Sequence, residues 1–292
     1  MVNYKEKISR SAKKAGFTLI ELSIVLVIIG LIVGGVLVGQ DLIKAAEIRA
    51  TVGQYEKFNA AINTFRTKYN GLPGDLLAAD AGSFGLPCAG TTTACTTGVT
   101  GMGTGNGMID DPSGTAAQLG DPLFFWAQLN ASSLLGASVG ATGSITLTTG
   151  AAAVTTPAPL FPAAKAGRGI YWLAGSASGL NYYMLTPVTS VNTSDATLPA
   201  STGLTPVDAY NIDTKIDDGM PNTGVVQARG TVTTSLGIFP TLATANAGSY
   251  SSGATAASCT TGGSNATDTA ATYSRGSTYG GTPACSLRLR FN

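Results

Sequence analysis

Two hydrophobic rhythms follow one another along the first 70 residues. From Phe17 to Gly39 the chain is apolar for 23 residues, broken only by Thr18, Glu21, Ser23 and glycines. At about 1.5 Å per residue such a run matches the roughly 30 Å hydrocarbon core of a bilayer and predicts a membrane-crossing helix. Beyond Gly39 the pattern becomes amphipathic: Ile48, Val52, Tyr55, Phe58, Ile62, Phe65 and Tyr69 recur every three or four residues and form one helical stripe. The other face carries Lys44, Glu47, Arg49, Glu56, Lys57, Arg66 and Lys68, which reads as solvated surface or subunit contact. Asn70-Gly71 and Pro73-Gly74 predict the end of the helix, with Gly71 taking the left-handed cap.

The flank before the apolar run, residues 1–16, holds Lys5, Lys7, Arg10, Lys13 and Lys14 against the single Glu6, the charge bias of a cytoplasmic side. A secretory signal would have a shorter apolar core ending at a small-residue cleavage site, whereas this one continues into more helix. The predicted organisation is therefore a cytoplasmic flank over 1–16, which the family resemblance described below makes a leader, a transmembrane half-helix over 17–39, an amphipathic half-helix over 40–70 and a β-rich head over 71–292. The fold class is α+β, a long amino-terminal helix packed on a loop-rich head with an antiparallel sheet.

Within the head, Asp121-Pro122 predicts an N-cap and first helical residue, opening a short helix through Phe124, Trp126, Leu129 and Leu134. GRGIYWLAG and LNYYMLTPV have the β-branched and aromatic content of strands and are expected to pair as antiparallel neighbours. Further apolar anchors fall at Val225-Val226 and at Leu236 to Phe239, between tracts rich in Ser, Thr, Ala and Gly that read as surface loops. Those tracts offer hydroxyls for O-linked sugars, and Asn130, Asn192 and Asn265 begin N-x-[ST] triplets, matches short enough to arise by chance.

Charge and residue chemistry narrow the function. The chain has 17 basic and 16 acidic residues; without residues 1–16 there remain 12 and 15, and no basic cluster follows Lys68. That balance gives no electrostatic case for nucleic acid. There is no histidine, and no serine elbow, phosphate loop or paired-carboxylate constellation stands out, so no enzymatic activity is expected. Cys88, Cys95, Cys259 and Cys285 all lie beyond the apolar segment. Disulfides fit an oxidising compartment, whereas zinc is disfavoured without histidine or a Cys-x-x-Cys pair. Of three possible pairings, Cys88–Cys95 with Cys259–Cys285 is preferred because each closes a local polar loop, contributing about 2.5 and 3.5 kcal/mol by loop-closure entropy.

Two acidic turns suggest calcium: Asp213, Asp217 and Asp218 before Gly219, and Asn106, Asp110 and Asp111 in a glycine-rich stretch. Neither has the spacing of a known calcium loop, and Asp218-Gly219 is more simply a hairpin turn. No other cofactor is expected.

The segment Gly16-Phe17-Thr18-Leu19-Ile20-Glu21 resembles the processing site of type IV prepilins and type II secretion pseudopilins. The resemblance is strongest over residues 10 to 75; IDTKIDDG and the Cys285 segment, similar to the disulfide-bounded loop of many pilins, extend it. It implies that a prepilin peptidase cuts after Gly16 and methylates the new amine of Phe17. A carboxylate near a bilayer edge is costly unless it finds a cation, and the implied partner of Glu21 is the Phe17 amine of a neighbouring subunit. Gly30, Gly34, Gly35 and Gly39 would allow close helix approach or local melting; where many pilins carry a proline, this chain has Val38. The resemblance thus implies a bacterial inner-membrane precursor that an inner-membrane assembly platform builds into a homo-oligomeric helical filament. That filament would be an extracellular pilus serving adhesion, motility or surface colonisation. The alternatives are a periplasmic pseudopilus of a type II secretion system and a minor tip subunit acting as a ligand-binding module.

Peptide mapping without reduction should recover Cys88 linked to Cys95 and Cys259 linked to Cys285; free thiols at all four positions would remove the disulfide framework.

Overall fold

The computed structural model describes residues 18–88, 90–91, 94–95, 103–109, 120–136, 160–167, 169–177, 179–188, 203–229, 259–261, 271–276 and 280–291. The helix α1 spans Leu19–Tyr69 in 51 residues, and the chain divides into two units, 1–45 and 46–292. In the first unit the apolar side chains are exposed, Leu31 to 77 %, and the helix is continuous through all four glycines. Exposed apolar surface on this scale marks a lipid or subunit interface.

In the second unit, α1 buries Ile48, Thr51, Phe58, Ala61, Ile62, Phe65 and Tyr69. Five of these belong to the predicted stripe; Val52 and Tyr55 are half-buried. Thr51 is the polar exception. Its hydroxyl donates to the Glu47 carbonyl at 2.9 Å and accepts from the Ala166 amide at 2.7 Å, so its burial is hydrogen-bonded. Lys57, expected on the solvated face, instead donates to the Leu135 carbonyl at 2.7 Å. The left-handed cap falls on Asn70, φ 55°, rather than on Gly71. Asparagine's short polar side chain tolerates that conformation, and the Asn70 amide still bonds the Arg66 carbonyl at 2.9 Å. Gly74 supplies the next turn at φ 89°, where a Cβ would lie 2.4 Å from the Asp121 carbonyl oxygen.

After a short helix α2 (Ala78–Ser83) and a two-residue ladder of β1 (Gly90–Thr91) with β2 (Ala94–Cys95), α3 runs Gly120–Ala131. It stops before Leu134, because Ser133 turns left-handed at φ 59°. β3 (Ile170–Ala177) and β4 (Leu180–Pro187) pair antiparallel as expected, with Trp172 opposite Leu185. They belong to a four-stranded sheet of order β3-β4-β8-β5, with β5 at Val226–Arg229 and β8 at Ser286–Phe291. Before β5 lies α4, Pro206–Ile216, capped by Thr205. The small ladder of β6 (Thr260–Thr261) with β7 (Thr272–Tyr273) completes the described elements. Leu236 to Phe239, expected to anchor the core, lie outside the described residues.

The helix meets the sheet through aromatic rings. Phe58 sits 4.9 Å from Trp126 of α3 and 5.5 Å from Trp172 of β3, both edge-on. Tyr183 of β4 lies 6.1 Å from Phe58 and 4.4 Å from Phe291 of β8. Edge-to-face pairs at these separations add about 0.5–1.5 kcal/mol each beyond burial. A long helix followed by an antiparallel-sheet head is the α+β, pilin-like architecture.

Replacing Phe58, 4 % exposed, by alanine should cost about 3–5 kcal/mol and lower the melting midpoint by about 6–20 °C, measured by circular dichroism on the full chain in detergent.

Candidate functional site

The amino-terminal end of α1 is built by Thr18 and Glu21. Thr18 precedes the first helical residue, and its backbone amide and hydroxyl donate to Glu21 Oε2 at 2.8 and 2.7 Å. The Glu21 amide returns a bond to the Thr18 hydroxyl at 3.3 Å. This reciprocal arrangement is a capping box, which satisfies amides that a helix start leaves open and sets a carboxylate at the positive end of the helix dipole. The four-residue spacing Thr-Leu-Ile-Glu carries that signal, and the sequence reading passed over it. Glu21 therefore already has a partner within its own chain, at an exposed site where a cation can also reach it. Gly16 and Phe17 lie outside the described residues.

The acidic turn follows from α4. Thr205 Oγ1 accepts from the Asp208 amide at 3.1 Å and donates to Asp208 Oδ2 at 2.7 Å, while Pro206 supplies a preset first residue. The helix ends as Asp217 leaves helical geometry, with its amide still bonded to the Asp213 carbonyl. Asp218-Gly219 is thus the exit from a helix, not a hairpin turn. The helical exit gathers Asp213, Asp217 and Asp218, with ligand-capable oxygens all within 4.8 Å of one another.

Each of the three carboxylates also holds the local chain. Asp213, fully buried, accepts from the Tyr273 hydroxyl at 2.7 Å and the Gly219 amide at 3.2 Å. Asp217 Oδ2 accepts from the Val225 and Val226 amides. Asp218 accepts from the Met220 amide at 2.8 Å and the Thr223 hydroxyl at 2.6 Å. Burial raises Asp213 from its ordinary 3.8 to about 7; the bonds from Tyr273 and Gly219 resist that rise, and Asp218 and Asp217 add to it. A cation here would have to ionise Asp213 and compete with these donors.

The second candidate calcium loop has a different organisation. Amides of Gly105, Asn106 and Gly107 and the Thr104 hydroxyl converge on the carboxylate of Asp75, at 2.7 to 3.3 Å. The loop therefore presents donors to an anion. Asp75 is 2 % exposed, and its pKa is raised by burial against the pull of those bonds. Nothing in the sequence near Asp75 announces this, because its donors come about thirty residues later. Asp110 and Asp111 lie outside the described residues.

Cys259 and Cys285 form a disulfide with Cα atoms 4.8 Å apart. Cys88 is also disulfide-bonded, and the side chain of Cys95 lies outside the described residues. Asn130 is half-buried near the end of α3, while Asn192 and Asn265 lie outside the described residues.

Residues 11–37 match the family model for the prokaryotic N-terminal methylation motif, the signal of type IV pilins and pseudopilins. The match includes Gly16, Phe17, Thr18 and Glu21. α1 is also long and apolar enough to cross a membrane. No curated protein and no solved structure matches the chain.

The raised Asp213 has a defined pH signature. Its folded pKa lies above its unfolded one, so its contribution to stability is full below about pH 4 and is lost as pH rises toward 7. The melting midpoint should fall over that window, and Asp213→Asn should flatten the fall. Calcium, if it binds this turn, raises the midpoint at pH 8 and scarcely at pH 5; equal midpoints with calcium and with chelator at pH 8 would exclude it.

Proposed function

We propose that this chain is the structural subunit of a type IV pilus-like extracellular filament, cleaved after Gly16 by a prepilin peptidase and methylated on Phe17. The observation that carries the reading is the methylation motif over residues 11–37, running directly into a capped helix of membrane-crossing length. The precursor waits in the bacterial inner membrane, and an assembly platform there draws it into a homo-oligomeric helical filament used for adhesion, motility or surface colonisation. Exposed apolar side chains from Leu19 to Ile43 supply the surface that lipid covers before assembly and other stems cover afterwards.

Glu21 drives the exchange. Its carboxylate moves from the Thr18 hydroxyl and amide to the methylated amine of Phe17 on a neighbouring subunit. A charge-assisted bond to a cation in a low-dielectric setting is stronger than one to a neutral hydroxyl, and this bias favours the assembled state.

The same motif serves secretion pseudopilins, so cell compartment separates the readings. Mass spectrometry of the sheared extracellular fraction should find an abundant peptide beginning at N-methylated Phe17. Detection only in membrane or periplasm would move the assignment to a secretion pseudopilus or a minor tip subunit. Glu21→Gln keeps an acceptor for Thr18 but removes the charge, so it should be processed normally and leave filaments scarce or absent; wild-type filament levels would refute the ion-pair mechanism.

A further inference from the structure

Where α1 passes the end of the sheet, a pocket of about 190 Å³ opens between Tyr55, Asn59 and Asn63 of the helix, Val225 before β5, and Arg290 and Phe291 of β8. Its frame is fixed by the backbone. The Arg290 amide bonds the Val225 carbonyl at 2.9 Å, and the Arg290 carbonyl accepts the Tyr55 hydroxyl at 2.8 Å. Both bonds use Arg290's backbone; among the described residues its side chain makes no hydrogen bond. The residue is half-buried, and its charge bears on the Tyr55 hydroxyl. Among the described residues no carboxylate pairs with it. Asp217 also bears on Tyr55, but its Oδ2 is committed to the Val225 and Val226 amides.

A second residue of the same pocket, Asn59, is hydrogen-bonded to the Tyr55 hydroxyl through its side chain but leaves one atom open. Asn59 Oδ1 is buried and accepts no hydrogen bond among the described residues. A buried acceptor left open costs about 1–3 kcal/mol. Both residues line the pocket, and their chemistry defines a ligand by complement: an anion for the guanidinium fork and an N–H or O–H donor for the asparagine oxygen.

We propose that this pocket is a binding site for a carboxylate that carries a neighbouring hydrogen-bond donor. Arg290 takes the carboxylate, the Asn63 amide at the rim supplies a further donor, Asn59 Oδ1 accepts from the ligand, and Phe291 and Val225 contact its carbon skeleton. At about 30 Å³ per water, the pocket holds about six waters' volume, room for one small acid or one acidic residue and not for a polymer. The carboxylate has two possible sources: a free hydroxy or acylamino acid, or an acidic residue of a second copy offering its carboxylate with a backbone N–H. The second source rests on the filament reading; the first does not.

The test uses the full-length chain in detergent and calorimetric titration with N-acetyl-aspartate. Saturable binding is expected, at least tenfold weaker in Arg290→Gln and weaker by several-fold in Asn63→Ala, an exposed position that leaves the core intact. The dimethyl ester, which lacks the carboxylate charge, should not bind. Absence of saturable binding by the wild type, or binding that Arg290→Gln or esterification leaves unchanged, would overturn the proposal. Sedimentation then separates the sources. A wild-type chain that self-associates and is dissociated by N-acetyl-aspartate, with Arg290→Gln remaining a monomer, assigns the carboxylate to a second copy. An unchanged size with binding retained assigns it to a free acid and leaves the filament reading untouched.

Discussion

The burial of one face of α1 against the head, centred on Phe58, is the contact on which the second unit depends. Three aromatic side chains from separate elements, Trp126, Trp172 and Tyr183, surround that ring. None of α3, β3 or β4 could bury its apolar side alone, since a sheet face needs another layer to cover it. The helix also supplies polar fastenings around this core: Gln54 Nε2 to the Ala163 carbonyl, Gln54 Oε1 from the Trp172 indole, and Tyr55 to the Arg290 carbonyl. Apolar area drives the association, and these bonds set the register in which it occurs.

The carboxylates of this chain follow two different rules. Glu21 is exposed and holds only a local cap, so its charge remains available to a stronger partner. Asp75 and Asp213 are buried and wrapped in donors, and both are shifted toward the neutral form by burial. They organise loops, one after α1 and one after α4. The difference lies in solvent and in the origin of the donors, not in the residue type: a carboxylate that closes a distant loop cannot be released without opening that loop.

Features governed by short-range periodicity were legible in the sequence. The stripe from Ile48 to Tyr69 and the β3–β4 pair both follow from repeating side-chain direction, and the methylation signal is a contiguous motif. α4 is marked at its start by Thr205-Pro206 and Asp208, but its buried face mixes Ala209 and Ile212 with Asp208 and Asp213 and so shows no apolar stripe. Asp75 and the pocket at Arg290 were beyond reach for a physical reason: each joins residues far apart in the chain. Asp75 meets donors at 104–107, and Tyr55 meets Arg290 across 235 positions. The left-handed cap shows a finer limit, since asparagine and glycine both tolerate that geometry and stand side by side at 70 and 71.

The bond between Cys259 and Cys285 spans 26 positions and lands where β8 begins. At the same point Leu204 exchanges two backbone bonds with Cys285, tying the base of the loop to the approach of α4. A loop so closed has its ends fixed by covalent and ladder bonds whatever lies between them, and lengthening it costs only a slowly rising entropy. Within it Tyr273 is itself buried and bonded to Asp213, so the loop is pinned at a third point: the lineage can rewrite the stretch between the β6 and β7 ladder positions, in composition or in length, while Tyr273 and β8 keep their places.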